Sequence, residues 1–265
     1  MYPRILIAGI RGGAGKTTVA LSVISLLVNK GLNVIAFKKG PDYIDSGWLS
    51  LFSKNPCYNL DTFMIPPERV IKSFIERAKG DISVIEGNRG LYDGLDTEGT
   101  VSSAELAKLL KCPVILVVDC TKITRSVAAL INGFTQFDRE VNIKAVVLNQ
   151  VANARHEKII KESIKKYCEV KIVGLLPRFK DLKMPERHMG LLPYQEHEEK
   201  EEVRKFIDKV SQYIDIEEII KIAKNADGLH YYPLESFEFL DGKELKIGVI
   251  RDRVFQFYYE ENLEE

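Results

Sequence analysis

The chain has 265 residues, 38 basic and 38 acidic side chains, and a 45% hydrophobic content. That neutral balance leaves no electrostatic footprint for nucleic acid or an anionic membrane, and no apolar run reaches the roughly 18–20 residues needed to span a bilayer. "MYPRILIAG" lacks the regions of a secretory signal, and Cys57, Cys112, Cys120 and Cys168 show no CxxC spacing, so the chain reads as a cytoplasmic protein with reduced, structural thiols.

The first apolar run, "RILIAG" at 4–9, is followed by "IRGGAGKTT" and a helical pattern over 16–30. A second run, "NVIAF" at 33–37, leads into "KKGPDYID", which reads as a Gly-Pro loop carrying two acids. A helix over 67–78 precedes "ISVIEG" at 82–87. Next comes a Gly-rich stretch, "EGNRGLYDGLDTEGTV", ending in a Ser-Ser-Ala-Glu capping pattern at Ser102 or Ser103 and a helix to 110. Further strands are expected at 113–119, 143–149 and 170–176, with helices over 124–137, 155–167 and 197–213. Most strands are continuous in Val, Ile and Leu, as suits parallel strands buried on both faces. The alternation of strand and helix predicts an α/β fold with a doubly wound, mostly parallel sheet. The turn-rich segment 224–244 reads as a linker between a domain over 1–223 and a fresh strand at 245–250, which opens a second domain over 245–265.

Ligands of such sheets bind beyond the carboxyl ends of the strands, and the chemically pointed residues stand there. In "GIRGGAGKTT", glycines let backbone amides converge on phosphate oxygens, and a helix opens at Lys16. Lys16 is a point charge for β/γ phosphates, and Thr17 offers a hydroxyl to Mg²⁺. The strict G-x4-GK[ST] pattern wants glycine where Ile10 stands, so this is a variant Walker A of a P-loop NTPase-like fold, with Gly12, Gly13 and Gly15 before Lys16. Mg²⁺ with ATP takes hard oxygen ligands, one or two of them carboxylates. Glu86, ending a strand, is the first candidate. Asp42 and Asp45 reach the same crevice, and at least one of them is expected to hold metal. Asp119 is either a further ligand or the cap of the next helix, and Lys38 either neutralises transferred phosphate or is a surface lysine. Asp93, after Glu86, is the acid expected to orient a substrate or a second Mg²⁺.

Taken together, "GGAGKTT", "FKKGPDYIDS", "NLD" (59–61), "EGNRGLYDG", "AELAKLL", "PVILVVD", "VVLNQV", "GLLPR" and "PERHMGLLP" make the chain resemble the cobyrinic acid a,c-diamide synthase family, whose synthetase domain is similar to dethiobiotin synthetase. The resemblance spans nearly residues 3–195. It implies an ATP- and Mg²⁺-dependent carbon–nitrogen ligase. A peripheral tetrapyrrole carboxylate is phosphorylated, and ammonia from glutamine displaces the phosphate. Carried over, Gly12, Gly13, Ala14, Gly15, Lys16, Thr17 and Thr18 hold the phosphates, while Thr17, Asp42 and Glu86 bind Mg²⁺. Lys16, Lys38, Asp45 and Asp93 are catalytic, Tyr43, Ile44 and Asp45 meet the macrocycle, and Asn149 reads the adenine. "KIGVIRDRVFQFYYEENLE" resembles the opening of the family's C-terminal class I glutamine amidotransferase domain. Two departures keep alternatives open. Arg11 stands where partition and cell-division ATPases carry a lysine used across a dimer interface, which implies a homodimeric ATPase switch. "EGNRG" departs from "EGVMG" and resembles the branch that amidates sirohaem, with nickel-sirohydrochlorin as a third substrate.

Overall fold

The computed structural model describes residues 2–179, 186–187, 190–191, 193–195, 200–229, 247–252 and 255–264. Seven strands form one sheet in the order β3-β2-β4-β1-β5-β6-β7, and every neighbouring pair is parallel. They are β1 (Arg4–Gly9), β2 (Val34–Lys39), β3 (Cys57–Leu60), β4 (Ile82–Gly90), β5 (Val114–Asp119), β6 (Ile143–Val151) and β7 (Lys171–Pro177). Helices α1 (Lys16–Asn29), α2 (Ile44–Ser53), α3 (Pro67–Arg77), α4 (Ser103–Leu109), α5 (Ser126–Phe137), α6 (Ala154–Tyr167), α7 (Lys200–Ser211) and α8 (Ile216–Lys224) connect or follow them. The expected α/β class with a doubly wound sheet is the observed one. Among the described residues no helix is long and apolar enough to cross a membrane.

Side chains alternate across each strand. Ile5 and Ile7 of β1, with Val34 and Ala36 of β2 and Val84 of β4, face a layer of α1, α2, α7 and α8. Leu6, Ala8, Phe37 and Ile85 face the layer of α3, α4, α5 and α6. The same parity sends the polar ends of β2 and β4, Lys38 and Glu86, toward α1 and α2. They are register partners, and Glu86 is also paired with Ile7 of β1. Because β2, β4 and β1 are adjacent, the segments leaving their carboxyl ends share one rim of the sheet. At the opposite end the guanidinium of buried Arg4 donates to the carbonyls of Tyr2, Leu110, Lys111 and Asp227.

Several expectations change. "KKGPDYID" is not all loop: Lys38 and Lys39 complete β2, and Ile44 and Asp45 open α2. The carboxylate of Asp42 accepts the Ile44 and Asp45 amides and so caps that helix, while Trp48, Leu49 and Phe52 bury its inner face. β3 and α8 were not anticipated. α8 begins at a capping Asp215, whose carboxylate accepts the Glu218 amide. No strand forms at 247–250, because a strand needs a neighbour to complete its ladder; Ile247 stays 84% exposed. Most of the expected linker, 230–244, lies outside the described residues. The four cysteines are free, and Cys57, Cys112 and Cys120 are buried.

Candidate functional site

β1 ends at Gly9, where an added Cβ would lie 2.9 Å from the Arg11 carbonyl and 3.1 Å from the Ala14 side chain. The close approach that the strict motif reserves for its first glycine is thus made one residue earlier, and Ile10 packs its side chain into both cores. The loop turns through Gly13 (φ +69°) and Gly15 (φ +99°), backbone that side-chain-bearing residues rarely adopt. Space above Gly12 and Gly13 is open: a Cβ there would meet nothing within 4 Å. No side chain caps the start of α1, and its first turn holds no acid. Its leading amides, those of Lys16, Thr17 and Thr18 among them, therefore point at the rim with the partial positive charge of a helix N-terminus, an arrangement that takes phosphate. Asn149, at the end of β6, donates from Nδ2 to the Ala14 carbonyl at 2.9 Å and presses against Gly15. It braces the loop from below.

Beside the loop stands an ion cluster. The Lys38 ammonium, 2% exposed at the side chain, lies 2.6 Å from Asp45 Oδ2, 3.2 Å from Glu86 Oε1 and 3.6 Å from Asp42 Oδ2. It also donates to the Gly87 carbonyl at 3.3 Å. Burial works against its charge, but Glu86, Asp45 and Asp42 outweigh that and hold its pKa above the ordinary lysine value. Lys38 is thus no surface lysine. Thr17 donates its hydroxyl to Glu86 Oε1 at 2.6 Å. Glu86 is fully buried, and burial pushes its carboxyl up to about 7 despite Lys38. Its second oxygen, Oε2, is buried without a hydrogen-bond partner. Burial also lowers the pKa of Lys16, partly offset by Glu86, whereas Lys38 pulls Asp45 below the usual carboxylate range against its own burial.

The remaining candidates divide. Thr17, Lys38, Asp42, Asp45 and Glu86 are brought together. Asp93 accepts the Gly90 amide at 2.9 Å, closing the turn after β4, and its charge reaches Lys16. Asp119 pairs with Arg11 and accepts the Thr121 amide. Ile44 packs against the α1 and α2 core, and the Tyr43 ring stacks on Phe257 and Tyr259. Sequence reasoning missed two supports. Asn59 donates from Nδ2 to the Gly40 and Asp42 carbonyls at 2.7 and 3.0 Å. Ser103 exchanges two hydrogen bonds with the Asn88 backbone beyond Glu86. The backbone of Glu186–Arg187 pairs with Gly190–Leu191, and the side chains of the "PERHMG" stretch lie outside the described residues. A groove of about 670 Å³ along β7, lined by Asn153, Gly174, Tyr213 and Asp215 among others, includes none of the rim residues above.

Residues 5–192 match the CbiA profile, described as the CobQ/CobB/MinD/ParA nucleotide binding domain. The chain belongs to this nucleotide-binding family. It is 40% identical over 268 residues to a cobyrinate a,c-diamide synthase of Dehalococcoides mccartyi (strain CBDB1), covering 99% of this chain and 58% of that one. It is also 40% identical over 266 residues to the protein of that name in Archaeoglobus fulgidus, with the same coverages. The chain thus spans less than two thirds of the length of the curated relatives it matches. Among solved structures, chloroplast FtsY from Physcomitrella patens aligns with a TM-score of 0.48 at 13% identity, covering 79% of this chain and 65% of that one.

Proposed function

We propose that this CbiA-family chain is the ATP-using half of an amide ligase that activates peripheral carboxylates of a tetrapyrrole. The observation that carries the reading is Lys38, a buried cation among Asp42, Asp45 and Glu86 beside an uncapped phosphate loop. The relatives called cobyrinate a,c-diamide synthase supply the substrate class. A carboxylate oxygen attacks the γ-phosphorus as the bond to the ADP oxygen breaks. Ammonia then attacks the acyl carbon, and phosphate and a proton leave. In the full protein ammonia comes from glutamine, through a glutaminase half beyond these residues.

Loop amides and Lys16 hold the β and γ phosphates. Mg²⁺ fits this donor set, because Glu86 keeps one buried oxygen, Oε2, without a partner while its other oxygen accepts the Thr17 hydroxyl. Asp42 has one oxygen committed to capping α2 and the other facing Lys38. Thr17, Glu86 and that second Asp42 oxygen would hold the ion, which neutralises phosphate charge when bound. Lys38 would follow the phosphoryl group onto the acceptor, and Asp45 and Asp93 would orient the acceptor and neighbouring charges. Asn149, which donates one amide hydrogen to the Ala14 carbonyl and accepts the Gln150 amide, would read an adenine with its remaining hydrogen and lone pair. Tyr43 and Ile44 would meet the macrocycle edge, although Ile44 packs against the core and Phe257 and Tyr259 stack on the Tyr43 ring.

The test is incubation with ATP, Mg²⁺, ammonium and, separately, cobyrinate, sirohaem and nickel-sirohydrochlorin. Each amidated carboxyl replaces OH with NH₂ through the acyl phosphate and changes the mass by about one unit. ADP release indifferent to every tetrapyrrole, with no such mass change, would defeat the proposal. The Arg11 pair with Asp119 of its own chain supports the ligase over a dimerising switch. Sizing with and without ATP is expected to give one species, and an ATP-dependent dimer lost on Arg11→Ala would reverse that preference.

A pH dependence follows. Protons and Mg²⁺ compete for Glu86, whose pKa of about 7 is raised from 4.5. Mg²⁺-nucleotide affinity is expected to rise with pH up to about 7 and level off above it, by at most about tenfold per unit. For the metal-free fold the sign is opposite. The raised pKa contributes stability that is complete below 4.5 and lost as pH climbs through about 7. Glu86→Gln is expected to flatten both profiles in calorimetric titration and urea unfolding between pH 5 and 8.

A further inference from the structure

β3 is the outermost strand on its side of the sheet, and a bare edge leaves backbone donors unsatisfied. Residues 255–264 cover part of it. The Asn59 amide donates to Glu261 Oε1 at 3.2 Å, the Tyr58 hydroxyl donates to Glu264 Oε1 at 2.7 Å, and Arg77 pairs with Glu264 Oε2 at 3.2 Å. The same segment lays Tyr259 on the Tyr43 ring, with centroids 4.6 Å apart and planes 20° apart. Phe257 follows at 5.5 Å and 26°.

Both contacts lead to the acidic turn. Asn59 takes Glu261 through its backbone and holds the Gly40 and Asp42 carbonyls through its side chain. Tyr43 lies between Asp42, which caps α2, and Asp45, which pairs with Lys38. The turn, with Gly40 at φ +78° followed by Pro41, joins β2 to the start of α2, and the Asn59 and Tyr43 contacts fasten it to residues 255–264 as well.

We infer that residues 255–264 are a clasp that positions the turn 40–45, with Tyr259 and Glu261 as its positioning residues. Removing the clasp frees the Tyr43 ring and one side of Asn59, and Asp42 and Asp45 lose their fixed direction toward Lys38 and Glu86. Neither residue touches the phosphate loop, so nucleotide binding without metal is untouched. This inference rests on the proposed role of Asp42, Asp45 and Glu86 at a Mg²⁺-nucleotide site, and it makes the start of any following segment a handle on that site.

The experiment uses the 265-residue chain with Tyr259→Ala combined with Glu261→Gln, and separately Tyr259→Phe, which keeps the ring. Hydrogen exchange read by mass spectrometry is expected to quicken severalfold at 40–45 in the double variant and to change far less in Tyr259→Phe, which keeps the ring stack and loses only the hydroxyl contact to Tyr43. The Mg²⁺ concentration that half-saturates ADP binding is expected to rise severalfold, with metal-free ADP affinity unchanged. Wild-type exchange at 40–45 in the double variant overturns the clasp, whether or not exchange at 255–264 changes. Should wild-type ADP binding ignore Mg²⁺, the proposed function fails instead, and the exchange result alone still judges the clasp.

Discussion

Replacing Lys16 with alanine is expected to weaken ATP binding about 10- to 150-fold, the equivalent of one charge-assisted hydrogen bond of roughly 1.5–3 kcal/mol, and to leave the fold intact. The two halves of that expectation have one cause. Lys16 is largely buried, yet its ammonium has no hydrogen-bond or ion-pair partner among the described residues. Burial already lowers its pKa. A desolvated cation with no direct contact, its burial only partly offset by Glu86, Asp45 and Asp93, is a cost the apo fold carries, and triphosphate oxygens would relieve it. Removing it therefore costs affinity and little stability. Titration calorimetry and a thermal melt check both halves. Wild-type ATP affinity in the variant would remove Lys16 from phosphate binding, and a collapsed melting transition would make it structural.

Lys38→Met is expected to behave in the opposite way. Its ammonium is the shared counter-charge of Glu86, Asp45 and Asp42, two of which lie within 3.2 Å. Taking one member from a buried ion cluster strands the others, at a cost of about 3–5 kcal/mol. The loss is expected to shrink as pH falls from 8 toward 5, because the stranded carboxylates can then take up protons. Lys38 itself does not titrate over that range in wild type: its raised pKa delivers stability below the ordinary value of 10.5 and loses it only at higher pH, while Asp45 and Asp42 remain its partners as Glu86 takes up a proton below about 7. Glu86→Gln in the Lys38→Met background removes one stranded charge and is expected to recover part of the loss. Urea unfolding at two pH values decides; a variant within about 0.5 kcal/mol of wild type would show that solvent screens the cluster.

The contrast between these lysines was only half legible in the chain. Position gave Lys16 as a cation for phosphate and left Lys38 between that role and a surface lysine; their different surroundings come from three-dimensional neighbours. β1, α1 and β5 were read to within one residue, because their apolar runs are continuous and bounded by glycine or a charge. β3 was missed because "CYNL" is four residues with an Asn in the middle. α2 was missed because it opens Ile-Asp-Ser-Gly, a poor helical start, and is held by the Asp42 cap and by burial of Trp48. α8 carries a sequence signal: Asp215 precedes a run with Ile216, Ile219 and Ile222 on one face. At the site, the adjacency of Asp42, Asp45 and Glu86 followed from strand-end logic. The braces did not. Asn59 acts through a neighbouring strand, and Tyr259 lies more than two hundred positions from the ring it covers.

Alternation along β2 has a consequence for how this family can vary. Lys38 and Lys39 are consecutive, so they point into opposite layers, and only the first meets Glu86. Deleting one residue between positions 34 and 37 would rotate the ladder by half a pleat and deliver the other lysine to the same carboxylate. Electrical neutrality would survive the deletion. The glycine–proline corner and both aspartates would arrive one step early, however, so insertions and deletions ahead of this corner are expected to be purged for geometry even where charge is preserved.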